Sequence, residues 1–218
     1  TASAGGLYVS TGAGLTGSYV HHNTTSNSAA GLYAICGSTV SGCLIDNNTA
    51  AVTAGGIYIF QGGTDGVTIS NCTISNNVTS SNNGGGISSW QSAQLNTPIN
   101  ITNCIVSNNS IGGSGNGGGI YIAEAATGIV NTYNVTGCTI TNNTSVSNGA
   151  GLFLKLGTLN VNNCTIAGNT TNNSTGGGLG VIGGTLTLNN TIFKNNSTGT
   201  NTLGGAINAN PVGFTANN

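Results

Sequence analysis

The stretch Gly137–Leu154 decides the fold of this 218-residue chain; it reads Gly-Cys-Thr-Ile-Thr-Asn-Asn-Thr-Ser-Val-Ser-Asn-Gly-Ala-Gly-Leu-Phe-Leu. Apolar and polar residues alternate around Cys138 and Ile140, Asn143 follows three residues after Ile140, and a small-residue pair leads into Leu152. Alternation of this kind, punctuated by Gly and Asn, predicts short β-strands joined by tight turns.

The same pattern recurs along the whole chain. Each unit opens with small residues and an aliphatic residue: Leu7, Leu32, Ile57, Ile87, Ile120, Leu152, Leu179 and Ile207. Each ends on an aliphatic residue or Phe followed three residues later by Asn, in the pairs Val20/Asn23, Ile45/Asn48, Ile74/Asn77, Val106/Asn109, Ile140/Asn143, Ile166/Asn169, Phe193/Asn196 and Phe214/Asn217. Residues 1–218 are therefore predicted to form one domain of eight units, starting near residues 5, 30, 54, 84, 117, 149, 176 and 204.

Units of this length with two or three short strands are typical of an all-β parallel solenoid, a single-stranded β-helix of about eight coils. Like positions then stack on neighbouring coils. Five residues before each repeat Asn lies a small or apolar residue, which we expect to point inward: Ser18, Cys43, Cys72, Cys104, Cys138, Cys164, Thr191 and Val212. The repeat Asn side chains are expected to form an amide ladder at a turn.

The repeat resembles that of the polymorphic outer membrane proteins, whose tandem motifs are GGA[ILV] and FxxN. These motifs occur literally at Gly204–Ile207, Phe193–Asn196 and Phe214–Asn217, and relaxed versions cover the other units. The resemblance implies a right-handed parallel β-helix that is exported and exposed at a cell surface. The chain differs from that family in its shortage of charge and has no recognisable membrane-barrel segment.

Composition excludes several classes of function. The chain has two Lys or Arg, three Asp or Glu and two His residues. It therefore lacks the basic patch that nucleic acid or an anionic membrane requires, and no apolar run approaches the length of a membrane span. Asp46, Asp65 and Glu124 fall in different coils, so paired-carboxylate chemistry is not expected. The sequence predicts no enzyme, catalytic residue, metal site or cofactor.

Cysteine, histidine and aromatic residues each allow a structural and a functional interpretation. Five Cys residues share the inward column and are expected to be free thiols, whereas Cys36 lies outside it and is a disulfide candidate with Cys43 of the same coil. His21 and His22 should point to opposite faces of a strand and so should not chelate a metal together.

The residue after each opening aliphatic residue is often aromatic, as at Tyr8, Tyr33, Tyr58, Tyr121 and Phe153. That column is either ordinary ladder packing or a contact stripe for another chain or for sugar rings.

Sixteen N-x-[ST] sequons occur in the chain, about twice the number its composition would give. Turn formation by Asn-Asn-Thr accounts for part of the excess, and N-glycosylation is the alternative. Ladder Asn residues are expected to be buried and unable to carry glycan. The better candidates are Asn47, Asn71, Asn108, Asn142, Asn163 and Asn195.

We therefore expect a secreted or cell-surface structural protein that stacks head to tail into a filament. The assembly interface is predicted at Leu7, Val9, Val20, Ile207 and Phe214, since neither terminal unit carries a charged cap. The start at Thr1, without Met, is what a processed chain would have, and a segment of a longer covalent repeat array is the other explanation. The alternative is an adhesin or autotransporter-like passenger segment that binds a partner such as carbohydrate. Ice binding ranks lower because the Thr-x-Thr pairs share no register.

Overall fold

The computed structural model describes residues 4–61, 63, 65–91, 98–124, 131–172, 174–199, 204–210 and 213–217, and in that part the chain is all-β. Val212, predicted to point inward, lies outside these residues. In chain order the strands are β1 (Leu7–Val9), β2 (Gly14–Thr16), β3 (Tyr19–His21), β4 (Thr24–Thr25), β5 (Leu32–Ile35), β6 (Thr39–Ser41), β7 (Leu44–Asp46), β8 (Thr49–Ala50), β9 (Ile57–Gln61), β10 (Thr68–Ser70), β11 (Thr73–Ser75), β12 (Val78–Thr79), β13 (Ile87–Gln91), β14 (Ile99–Thr102), β15 (Ile105–Ser107), β16 (Ser110–Ile111), β17 (Ile120–Glu124), β18 (Thr132–Thr136), β19 (Thr139–Thr141), β20 (Thr144–Ser145), β21 (Leu152–Leu154), β22 (Thr158–Asn162), β23 (Thr165–Ala167), β24 (Thr170–Thr171), β25 (Leu179–Val181), β26 (Thr185–Asn189), β27 (Ile192–Lys194), β28 (Ser197–Thr198), β29 (Ile207–Ala209) and β30 (Gly213–Asn217).

Four parallel sheets run along the length of the solenoid. The first sheet is β1-β5-β9-β13-β17-β21-β25-β29, and the second is β2-β6-β10-β14-β18-β22-β26-β30. The third runs from β3 to β27 and the fourth from β4 to β28, each with seven strands. The described chain therefore forms seven complete coils and an eighth that contributes only its first two strands. This confirms the predicted parallel solenoid.

The register of the first sheet is the predicted one. The eight opening aliphatic residues pair in sequence from Leu7 with Leu32 to Leu179 with Ile207. The six inner members are fully buried, whereas Leu7 is 38% exposed because nothing in the described chain covers the first coil. One continuous apolar core thus fills the solenoid and is open at the ends.

The second Gly of the opening pair is required by close packing between coils. A Cβ atom on Gly119 would lie 2.5 Å from the carbonyl oxygen of Gly151 and 2.9 Å from Nδ2 of Asn143. The same clash recurs in the coils on either side. In the eighth coil this position is Ala206, in register with Gly178. The repeat Asn side chain and the neighbouring coil therefore leave no room for a side chain at the second Gly of the opening motif.

The predicted register of the last unit is wrong. Phe214 pairs with Leu186 and Asn217 with Asn189, both in the second sheet, instead of continuing the columns of Phe193 and Asn196. The cause is the spacing within the coil: Phe214 comes seven positions after Ile207, just as Leu186 comes seven positions after Leu179. Phe214-x-x-Asn217 is therefore a chance match to the ending motif.

Candidate functional site

The repeat Asn side chains form the predicted amide ladder, which runs along the solenoid between the third and fourth sheets. Asn109 is typical of its buried members. Its Oδ1 accepts bonds from the backbone N–H and Nδ2 of Asn77, both at 3.0 Å. Its Nδ2 donates to the carbonyl oxygen of Ile74 at 2.9 Å and to Oδ1 of Asn143 at 3.0 Å. Equivalent bonds link Asn23 through to Asn196, so each buried amide is satisfied.

A second column carries small hydrogen-bond donors. The five buried Cys side chains are free thiols, as predicted. Each donates to the carbonyl oxygen two residues earlier, as Cys72 does to Ser70 at 3.1 Å, and Thr191 does the same to Asn189 at 3.0 Å. Burial raises the pKa of the Cys43 thiol, which opposes reaction as a thiolate. Sequence analysis recognised the small size of these residues but missed their shared donor role, visible in the Ser, Cys and Thr identities of the column.

The structure does not contain the candidate disulfide. Cys36 and Cys43 are both free. Cys36 is half-buried on the outside of the coil, with Sγ 3.7 Å from Oγ1 of Thr11, whereas Cys43 points into the core and donates to Ser41. The two thiols face different environments, and this corrects the expectation drawn from their shared coil.

The aromatic column is present but mostly closed to solvent. Tyr8, Tyr33 and Tyr58 stack with ring centroids 5.3 and 5.1 Å apart, and Tyr121 stacks on Phe153 at 5.6 Å. Tyr33, Tyr121 and Phe153 are buried, and the last two form a small apolar cluster outside the main core. Burial raises the pKa of Tyr33 to about 12. The column therefore packs as a ladder and leaves little aromatic area for a partner.

All six candidate glycosylation residues are exposed at corners of the coil. Each has a positive φ, from 53° at Asn47 to 56° at Asn108. Asn tolerates this left-handed conformation better than most residues, so the corner itself selects Asn. The next residue but one begins a strand, where Thr and Ser are frequent. Turn chemistry thus explains part of the sequon excess, and the exposed amides are still geometrically open to modification.

The two ends of the solenoid carry most of the exposed large apolar side chains. Leu7, Tyr8 and Tyr19 are exposed on the first coil, and Ile192 and Phe214 on the last two. A depression of about 330 Å³ opens into the core at the first coil. It is lined by Gly6, Leu7, Leu15, Ser18, Tyr19, Val20, His21 and Asn23. Val9 and Val20 are buried already, while Ile207 is half-buried.

His21 lines this depression and His22 lies against it, which corrects the prediction that the two rings face apart. Their Nδ1 atoms are 2.8 Å apart, and the rings meet edge to face. The reason is the corner: His22 has φ 57°, so strand alternation stops at His21. His21 is in register with Asp46 on the next coil.

Glu124 is the centre of a buried polar cluster that no sequence pattern predicted. It lies where β17 ends and accepts bonds from Oη of Tyr133 at 2.9 Å and Nδ2 of Asn131 at 2.9 Å. Gln91 is in register with it, and the Oε1 atom of Gln91 is buried without a partner among the described residues. Burial raises the pKa of the Glu124 carboxyl, although the bonds from Tyr133 and Asn131 oppose this. The cluster can hold a proton but offers no exposed carboxylate.

Comparison with known proteins gives no match: no family model, no curated protein and no solved structure corresponds to this chain. The resemblance to polymorphic outer membrane protein repeats therefore rests on the motifs alone. Within the described residues there is no helix that could cross a membrane.

Proposed function

We propose that this chain is a non-enzymatic structural subunit of an extracellular filament, in which solenoids stack head to tail. The observation that carries the proposal is the exposure of Leu7 and Phe214, which belong to inward-facing columns that are buried in the inner coils and which lie beside open strand edges. Unpaired edges with exposed apolar residues favour addition of further strands. Parallel pairing requires both solenoids to run in the same direction, so the contact is heterologous and does not close.

The stepped end restricts how the subunits meet. Because β29 and β30 stand one coil beyond β27 and β28, a second solenoid can pair β1 with β29 and β2 with β30. In the register of the other coils, this brings Leu7 over Ile207, Leu15 over Ala216 and Ala13 over Phe214. The third and fourth sheets would then be separated by about two strand spacings, roughly 9.6 Å. Val20 faces that gap, and we propose the first two sheets as the principal contact.

Glycosylation at exposed corner Asn residues fits the same proposal. With charged residues at 2% of the chain, electrostatic repulsion contributes little to solubility. Neutral glycans on the flanks would hydrate the filament and leave its ends free. Asn108 and Asn142 occupy the same corner of adjacent coils, so one glycan would crowd the other. A mass spectrum of protein from its native source tests occupancy, and a mass near 21.3 kDa would contradict it.

An adhesin is the alternative, and the structure offers it less support. The aromatic column is a candidate contact surface for an adhesin, but three of its members, Tyr33, Tyr121 and Phe153, are buried. Tyr8 and Tyr19 are the exposed tyrosines, and both belong to the first coil, so they do not form an exposed stripe along the solenoid.

Two substitutions distinguish an effect on assembly from an effect on general solubility. One replaces an exposed apolar residue at an end of the solenoid, and the other replaces one on its flank. Phe214 is 54% exposed on the last coil, and Ile105 is 46% exposed in the middle of the third sheet. We expect Phe214→Arg to abolish long fibres in negative-stain images and to give monomers in sedimentation. The matched Ile105→Arg variant should still form fibres. Monodisperse monomers of the unsubstituted chain across a wide concentration range would refute the filament.

A further inference from the structure

At one corner, the first coil has a different residue type from the other complete coils. The corner after the third sheet has positive φ in every complete coil, and its residues in coils two to seven are Asn47, Asn76, Asn108, Asn142, Gly168 and Asn195. Gly adopts a left-handed backbone freely, and Asn, Asp and His are the other residue types enriched there. In the first coil the residue is His22. The equivalent corners use Asn in five of the other six complete coils, so the turn permits an imidazole but does not require it.

The corner brings two imidazoles into chelating geometry. His21 and His22 are both exposed, with Nδ1 atoms 2.8 Å apart. For metal–nitrogen bonds of about 2.0 Å, this separation corresponds to a ligand–metal–ligand angle of about 90°. A tetrahedral metal would need the two nitrogens about 3.3 Å apart. The pair therefore matches two neighbouring positions of a square-planar or tetragonal ion, the geometry of Cu(II) and Ni(II).

We propose that His21 and His22 form a chelating site for Cu(II) at the open end of the solenoid, with water in the remaining positions. Without metal, one ring donates its Nδ1–H as a hydrogen bond to Nδ1 of the other ring. On binding, the donor ring changes tautomer and carries its proton on Nε2, so that both Nδ1 lone pairs are available to the metal and no proton is released. Cu(II) is bound more strongly than other divalent first-row ions by nitrogen ligands.

The surroundings favour a dication and limit the protein to two ligands. Asp46, in register with His21 on the adjacent strand, places one of the few carboxylates of the chain nearby. No set of three or more His, Cys, Asp or Glu side chains is placed to hold a metal in the part of the chain that the structure describes. The site is therefore open, and its metal would be exchangeable.

Cu(II) titration of the full chain tests the site, in a Cys36→Ser background that removes the half-buried thiol. We expect one bound ion, with paramagnetic resonance hyperfine coupling to two imidazole nitrogens and weaker binding of Zn(II). His22→Asn installs the corner residue of the other coils, so the circular dichroism spectrum should be unchanged while affinity falls about tenfold or more. His21→Ala should give the same loss.

Unchanged affinity in His22→Asn, coupling to a single nitrogen, or tighter binding of Zn(II) than of Cu(II) would overturn the proposal. The titration is repeated with Ni(II) on the unsubstituted chain, to check that metal binding by the histidines does not depend on the Cys36→Ser substitution. Adding the Phe214→Arg substitution, which the filament proposal expects to give monomers, makes the titration independent of filament formation.

Discussion

Removing one buried amide from the ladder should destabilise the solenoid far more than removing an Asn from its surface. Asn109→Ala eliminates two hydrogen bonds accepted from Asn77 and two donated to Ile74 and Asn143. At about 1 kcal/mol of net stability for each bond, the loss is about 4 kcal/mol. The amide groups of Asn77 are left buried without an acceptor, which adds about 1–3 kcal/mol.

The matched control is Asn160→Ala. Asn160 belongs to an outer, half-exposed amide row and donates one bond, to Oδ1 of Asn134 at 3.0 Å. Water can replace that bond, so we expect a loss of about 1 kcal/mol or less. Both variants keep every sequon of the chain, since neither Asn begins one.

Guanidinium denaturation followed by circular dichroism measures both losses, and hydrogen exchange locates them. The backbone N–H of Asn77 donates to Asn109, so its exchange should accelerate in Asn109→Ala and stay protected in Asn160→Ala. Repeat proteins can unfold in stages, which makes the local exchange rate the sharper readout. Equal destabilisation by the two variants, within about 1 kcal/mol, would refute the reasoning.

Three further substitutions test other contacts. Gly119→Ala places a Cβ 2.5 Å from the carbonyl oxygen of Gly151, so the denaturation midpoint should fall by the equivalent of about 3 kcal/mol, and an unaltered midpoint would contradict the packing. Burial raises the pKa of Glu124, so its contribution to stability is present at low pH and is lost as pH rises through the folded-state pKa. In Glu124→Gln, the free energy of unfolding measured by denaturation should decrease less as pH rises, and an unchanged pH dependence would contradict this role of Glu124. Ala206→Gly removes a methyl group that points toward an added coil, so sedimentation should show tighter assembly if the filament forms as proposed.

The regular part of the fold could be predicted from the sequence because the same pattern of aliphatic, small and Asn residues recurs in every complete coil. Leu32 and Asn77, for example, each belong to a column of equivalent residues, and misassigning one coil would break the others. Phe214 shows where this fails. Its motif matched the pattern, but the number of residues between Ile207 and Phe214 places it in another sheet. Spacing within the coil, which the sequence does contain, is the stronger signal.

The candidate sites were less predictable because they depend on departures from the repeat. Strand alternation placed His21 and His22 on opposite faces, and only the left-handed φ of His22 brings their rings together. The partners of Glu124 lie seven and nine residues away, across a change of sheet. Neither arrangement follows from a pattern that treats each coil alike.

The four sheets and the amide ladder have a mechanical consequence. Hydrogen bonds between strands of a solenoid run along its axis, so a pulling force loads the layers between coils in series, while the bonds within one layer share the load. Each layer between the first and seventh coils is held by all four sheets and by the amide ladder. Removing one ladder amide, as in Asn109→Ala, should therefore lower the force at which the layers next to Asn109 separate, and the other inner layers should remain intact until higher force.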